Sequence, residues 1–269
     1  MRAIKTILVL LLVVTTILFV GTRISERFSD RNDGPVISCA QEILDVSVTD
    51  DQEKLLSGVT ARDSQDGDLT KDILIAGVSK LIAENTAKVT YLVFDSDNNM
   101  GSCTRMVRYT DYQQPVFSVG EPLVFASVNG IQLADRVTAT DVIDGDISGS
   151  VRASALQATD MADVYSVTFQ VTNSMGDTAR VNLPVILRGN NTNQPEVTLN
   201  QQLIYLKKGS GFDPRIYVAS VKSPLGDAST RDVQIENPVD TQQAGTYWVV
   251  YSYASGNSVG TAILTVVVE

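Results

Sequence analysis

The chain has 269 residues, a formal net charge of −10 and no histidine. A negative balance argues against a nucleic-acid partner, whose capture rests on Lys and Arg neutralising phosphate. The missing histidine removes Ser-His-Asp and Cys-His nucleophile arrangements and the usual zinc ligand sets. Hydrophobic residues make up 43% of the chain, enough for true cores and too many for a disordered acidic tail.

Taken in chain order, the first element is apolar. Arg2 and Lys5 precede an uncharged run over residues 6–22, and Arg23 ends it. The run sits at the lower limit for a membrane-spanning helix, and flanking cations can snorkel to lengthen it. Phe19-Val20-Gly21 puts a bulky residue where signal cleavage wants a small one. The expectation is an uncleaved anchor over 6–22, with residues 1–5 cytoplasmic and 23–34 a juxtamembrane linker; a cleaved signal peptide is the alternative. Arg23, Arg27 and Arg31 follow the run, so the positive-inside count leaves orientation open.

Three repeats come next. Pro35, Pro115 and Pro195 each open a unit, at steps of 80 residues. Val59-Thr60-Ala61-Arg62-Asp63 with Asp66-Gly67-Asp68 returns as Val137-Thr138-Ala139-Thr140-Asp141 with Asp144-Gly145-Asp146. The third unit keeps only Val218-Ala219-Ser220 and Gly226-Asp227. A period this long suits a small β-sandwich rather than a solenoid turn. Each unit carries a strand with one buried face: Ala87, Val89, Tyr91 and Val93, then Tyr165, Val167, Phe169 and Val171, then Tyr247, Val249, Tyr251 and Tyr253. The fold class expected is all-β, three tandem sandwiches over 35–112, 113–192 and 193–269 behind one N-terminal transmembrane helix. The junctions, 110–114 and 189–194, are short and polar.

Cys39 and Cys103 are the only cysteines, and both lie in the first repeat. Cys39 takes the slot of Val119 and Leu199, and Cys103 that of Val181, so both are expected to face one core. Two readings stand: a pair of buried thiols behaving as small hydrophobes, or a disulfide. The disulfide is favoured. It places the repeats in an oxidising compartment outside the cytoplasm, with the N-terminus inside.

The segments GVTARDSQDGDLT, RVTATDVIDGDIS, YSVTFQVTNSMGD and AGTYWVVYSY resemble the tandem Ig-like domains of bacterial surface proteins. The resemblance covers residues 35 to 269; the first repeat lacks the Gly-x-Tyr element and the third lacks the Asp-Gly-Asp turn. It implies Ig-like sandwiches, and such modules serve many unrelated roles.

The acidic residues are the candidate chemistry. Asp63, Asp66 and Asp68, with Asp95 and Asp97 from a second loop, are expected at one pole of the first repeat. Asp141, Asp144 and Asp146, with Asn173 and Asp177, repeat the set in the second. Converging carboxylates favour a hard cation, so calcium is the candidate cofactor. The competing reading is that Asp-Gly turns and Asp caps use these side chains for backbone needs alone. The third repeat should bind nothing, because Ser220, Ser223 and Leu225 stand in the acidic places.

Nothing in the chain assembles a nucleophile or a phosphate loop, and paired carboxylates in turns are poor glycosidase candidates. The chain is therefore expected to be non-enzymatic: a membrane-anchored surface protein whose sandwiches form a rod for adhesion or for a protein or glycan partner. A structural subunit of a cell-envelope assembly and a carbohydrate-binding module are the alternatives. Trp248, on the outward face of its strand, is the candidate sugar platform. Asn190-Asn191-Thr192 matches a glycosylation sequon.

Overall fold

The computed structural model describes residues 11–22, 34–189 and 194–269, and it divides into two compact units, Met1–Asp111 and Tyr112–Glu269. Apart from a helix over residues 11–22, one short helix and several 3-10 turns, the described residues are strands, turns and loops.

The membrane expectation is corrected here. No helix among the described residues is long and apolar enough to cross a membrane. The single-pass cell-membrane placement therefore falls. The expected cytoplasmic segment 1–5, the start of the 6–22 run, almost all of the 23–34 linker and the 190–192 sequon lie outside the described residues.

The first unit contains β1 (Val36–Cys39), β2 (Ile43–Val46), the helix α1 (Gln52–Leu55), β3 (Val59–Asp63), β4 (Gly67–Asp68), β5 (Leu74–Val78), β6 (Thr86–Phe94) and β7 (Met100–Tyr109). They form two sheets, β1-β3-β4 and β2-β7-β6-β5, with β2 parallel to β7 and the other neighbours antiparallel. Strand β6 buries alternate residues, as its period-2 pattern requires. Val89, Tyr91 and Val93 thereby meet Leu44, Val46, Val59 and Ala61 in one apolar cluster. The Tyr91 hydroxyl, deep in that core, donates to the Leu55 carbonyl at 2.5 Å, so α1 is pinned over the open edge. Arg105 is buried beside it and has no carboxylate partner among the described residues. Its Nε donates to the Tyr91 hydroxyl at 2.9 Å and its Nη1 to the Ser57 carbonyl at 2.8 Å.

The second unit holds two repeats. In the earlier one, β8 (Val116–Ser118), β10 (Thr138–Asp141) and β11 (Gly145–Asp146) form one sheet. The facing sheet takes β9 (Val124–Phe125), β12 (Arg152–Ala153), β13 (Gln157–Ala158), β14 (Val164–Thr172) and β15 (Thr178–Leu187). The later one pairs β16 (Glu196–Leu199), β18 (Val218–Ser223) and β19 (Gly226–Ala228) against β17 (Leu203–Leu206), β20 (Gln234–Glu236), β21 (Gly245–Ser255) and β22 (Ser258–Val268). Every sheet draws its strands from a single repeat. Phe169 and Tyr251 occupy the core place that Tyr91 holds in the first.

These two repeats are joined by more than the 189–194 linker. Val164, Ile186 and Ile263 form a shared buried cluster, with Val124, Met161, Trp248 and Val250 packed on it. The Phe117 amide donates to the Tyr205 hydroxyl at 3.0 Å, and Arg188 Nη2 donates to the Thr261 carbonyl at 3.1 Å. Burying apolar side chains against one another makes the pair one cooperative unit.

Candidate functional site

The acidic turns are built alike in the first two repeats. Asp63 ends β3, and its Oδ1 accepts the amides of Gln65 (2.7 Å) and Asp66 (2.9 Å). Asp141 ends β10 and takes Ile143 (2.9 Å) and Asp144 (3.0 Å) in the same way. The returning turn needs a left-handed residue, which Gly67 at φ +77° and Gly145 at φ +70° supply. Asp68 then accepts the Thr70 amide at 3.0 Å, and Asp146 the Ser148 amide at 3.0 Å.

A clasp joins each turn to the hairpin opposite. The Ser96 amide and hydroxyl donate to the two carboxylate oxygens of Asp66 at 2.7 and 2.9 Å. Ser174 does the same to Asp144, at 2.6 Å for both. The donors explain the electrostatics. Asp63 is held below the usual carboxylate range first by the Asp66 amide and then by that of Gln65. Asp68 is held down by the Thr70 hydroxyl and amide, and Asp146 by those of Ser148.

The expected calcium clusters are not assembled. Among the described residues, no three His, Cys, Asp or Glu side chains are grouped to hold a metal ion. Asp66, Asp68, Asp144 and Asp146 are spent on turns and clasps, which is what backbone amides left by a tight turn demand. The structure does bring the facing residues of each pole together. In the second repeat Asn173 Nδ2 donates to Asp141 Oδ2 at 3.0 Å and to the Tyr112 hydroxyl at 2.8 Å, and that hydroxyl donates to Asp177 at 2.8 Å. Burial and the Asp177 carboxylate push the Tyr112 phenol up.

The first repeat differs at this point. Asp95 stands where the second has Asn173, and Asn99 stands where it has Asp177. Asp95 Oδ1 accepts the amides of Asp97 (2.9 Å) and Asn99 (2.8 Å), and its Oδ2 accepts Asn99 Nδ2 at 2.9 Å. Asp95 therefore has no N–H to offer Asp63, whose Oδ2 is buried without a hydrogen-bond partner.

Cys39 and Cys103 meet as expected from their slots, across the two sheets, with Sγ atoms 2.7 Å apart. The expected disulfide is not formed: both are free thiols, and a bond would hold sulfurs at about 2.05 Å. Burial first, then the contact with Cys39, pushes the Cys103 thiol up to about 12, so that thiol is kept protonated.

Trp248 is half-buried and engaged with the neighbouring repeat. Its indole Nε1 donates to the Asn182 carbonyl at 3.2 Å, and its ring packs on the cluster between the second and third repeats. A mostly apolar cavity of about 100 Å³ lies at the same joint, lined by Leu123, Leu183, Val197 and Ile263.

One surface escaped the sequence reading. On the outer face of the first repeat's larger sheet, Leu74 pairs with Leu92 and Phe94 with Met100. Leu74, Phe94 and Met100 are 58%, 45% and 56% exposed. The matching pairs in the second repeat are Arg152 with Gln170 and Thr172 with Thr178. The third has Gln234 with Ser252. Comparing outward positions between repeats, rather than inward ones, would have exposed it.

No family model matches the chain. It is 28% identical over 203 residues to the pesticidal crystal protein Cry22Aa of Bacillus thuringiensis, over 71% of this chain and 27% of that protein. The chain thus spans about a quarter of that relative's length. Among solved structures, the CBM51-2 and INT domains of Clostridium perfringens ZmpB align over 54% of this chain and 26% of theirs, at 19% identity and a TM-score of 0.24. The protocadherin GammaB4 extracellular domain aligns over 89% of this chain and 50% of its own, at 13% identity and a TM-score of 0.20. Drosophila N-cadherin EC1-4 aligns over 88% and 76%, at 12% identity and a TM-score of 0.22. Likenesses at these scores carry no argument about function.

Proposed function

We propose that the chain is a non-enzymatic binding protein and that its first repeat presents the contact surface to a protein partner. The supporting observation is the apolar patch of Leu74, Leu92, Phe94 and Met100. The second repeat carries polar side chains at all four positions, and the third is polar at one pair, Gln234 with Ser252, and has the smaller Ala254 with Val259 at the other, so the sandwich itself does not require the patch. Contiguous exposed apolar area is costly in water and marks contact sites. Catalysis is no part of this reading, since the carboxylates of Asp66, Asp68, Asp95, Asp141, Asp144, Asp146 and Asp177 are engaged in turns, clasps and facing side chains. A glycan platform at Trp248 is set aside, because its indole is engaged at the joint.

The test exchanges the patch for the second repeat's residues: Leu74→Arg, Leu92→Gln, Phe94→Thr and Met100→Thr in the full chain. Binding to intact cells and to an immobilised glycan panel is compared with that of the parent chain, with Tm measured alongside. Loss of cell binding by roughly tenfold or more at an unchanged Tm supports the reading, on the scale of about 1.4 kcal/mol. Equal binding, or binding confined to glycans and unaffected by the exchange, overturns it.

A further inference from the structure

The joint between the second and third repeats holds a cavity that close packing does not account for. Its volume is about 100 Å³, against the ~10–15 Å³ that houses one water, and native interiors keep few voids larger than a water molecule. Leu123, Leu183, Ile186 and Val197 supply much of its wall. Two longer polar side chains on the wall are turned to carbonyls. Arg188 Nη2 donates to Thr261 at 3.1 Å, and Gln202 Nε2 to Leu199 at 3.4 Å.

Thr265 is the exception on that wall. Strand β22 alternates, with Leu264 and Val266 turned into the core of the third repeat. Ile263 and Thr265 lie on the opposite face, where Ile263 packs against the second repeat. Thr265 is fully buried, and its Oγ1 has no hydrogen-bond partner among the described residues. A buried hydroxyl left unpaired is costly, and valine would fill the same shape without that cost. Its neighbours on this face are apolar: Ile263 and Val267 along the strand, Leu203 and Trp248 across it. Water is therefore a poor remedy, since a bound water wants about two to four polar partners.

We infer that this cavity binds a small, neutral, mainly apolar molecule carrying one oxygen, with that oxygen hydrogen-bonded to Thr265. Apolar cavities of about 150 Å³ admit a benzene-sized body, which sets the size of the ligand near that of phenol. The charges on the wall favour neutrality: Arg188 and Glu196 both line the cavity, so neither sign predominates. The Thr265 hydroxyl can donate or accept, so an alcohol, a phenol or a ketone oxygen suits it. The cavity belongs to the second unit and does not rest on the apolar patch of the first.

Phenol, toluene and benzoate, titrated into the full chain, test this. Phenol and toluene match in size and differ by the oxygen. Trp248 stands opposite Thr265 in the β21–β22 register, so its fluorescence reports binding, and calorimetry counts the sites. Phenol is expected to saturate one site per chain about tenfold more tightly than toluene, with benzoate weaker than phenol. Thr265→Val keeps the shape and removes the hydroxyl. It should melt no lower than the parent chain and bind toluene at least as tightly as phenol. The absence of a saturable response overturns the inference, as does equal affinity for phenol and toluene in the parent. A phenol preference that survives Thr265→Val, or tighter binding of benzoate, overturns it too. So does a lower Tm in that variant, which would show that the hydroxyl is already satisfied within the protein.

Discussion

Cys39 Sγ lies 2.7 Å from Cys103 Sγ, bridging the two sheets of the first repeat as paired thiols. The residues are 64 apart in sequence, so linking them would close a long loop in the unfolded chain. Mild oxidation is expected to join them and stabilise the first unit by about 4 kcal/mol on the chain-entropy model. Intact mass and unfolding in denaturant, with and without reductant, measure this. Thiols that stay fully labelled after oxidant, or an unchanged midpoint, would show that the pair cannot close.

The pH profile should be a plateau with two edges. Asp45, Asp63, Asp68, Asp111 and Asp146 are held low, chiefly by Arg108, the Asp66 amide, and the hydroxyls of Thr70, Ser47 and Ser148 respectively. A carboxylate lowered on folding contributes stability above its unfolded value of about 3.9, lost as pH falls through the folded value. Tyr91, Tyr109, Tyr112, Tyr205 and Tyr251 are raised chiefly by burial. Their contribution is present below about 10 and lost as pH rises through their folded values. With no histidine, Tm should be nearly flat between about pH 5 and 9. A marked slope inside that window would count against this assignment.

The single tryptophan reports on the joint between the second and third repeats. Trp248→Ala removes the packing on Val164, Ile186 and Ile263 and the bond to Asn182. Because the indole is only half-buried, a loss of about 2 kcal/mol in the second unit is expected, less than for a full core truncation. In the parent chain, fluorescence should shift to the red in the same transition that unfolds the unit. A shift well before the sheets melt would mean that the joint opens first.

Gly101 and Gly260 play one role in two repeats. A Cβ at Gly101 would stand 2.0 Å from the Pro35 carbonyl oxygen, and one at Gly260 2.1 Å from that of Pro195. The opening strand crosses there against backbone, which cannot move aside as a flexible side chain can. Gly101→Ala and Gly260→Ala should each cost about 2 kcal/mol or more, in the first and second units respectively. Separate unfolding midpoints for the two units read the effect. The second repeat has Ala179 at the matching place, so Ala179→Gly should cost little beyond backbone entropy.

Much of the architecture was legible without coordinates. Period-2 alternation in β6, β14 and β21 marks which side chains are buried, because successive residues of a strand point to opposite faces. Asp-Gly-Asp fixes the turns through the left-handed glycine and the Asp carboxylate that caps its own backbone. The slots of Cys39 and Cys103 followed from comparing repeats, since equivalent inward positions share one core. The bond between them, and the anchor helix, did not follow.

What the tertiary structure alone decided concerns faces and partners. Strand periodicity says that Trp248 points outward from its own sheet, not that the neighbouring repeat packs there to receive it. The acidic residues gather in sequence, but only folding separates the ones spent on turn amides from Asp63 Oδ2, which is left buried without a hydrogen-bond partner. The exchange of Asp95 and Asn99 for Asn173 and Asp177 is visible in the chain. Its meaning depends on which atom points at which, and that is a property of two loops brought together from opposite sheets.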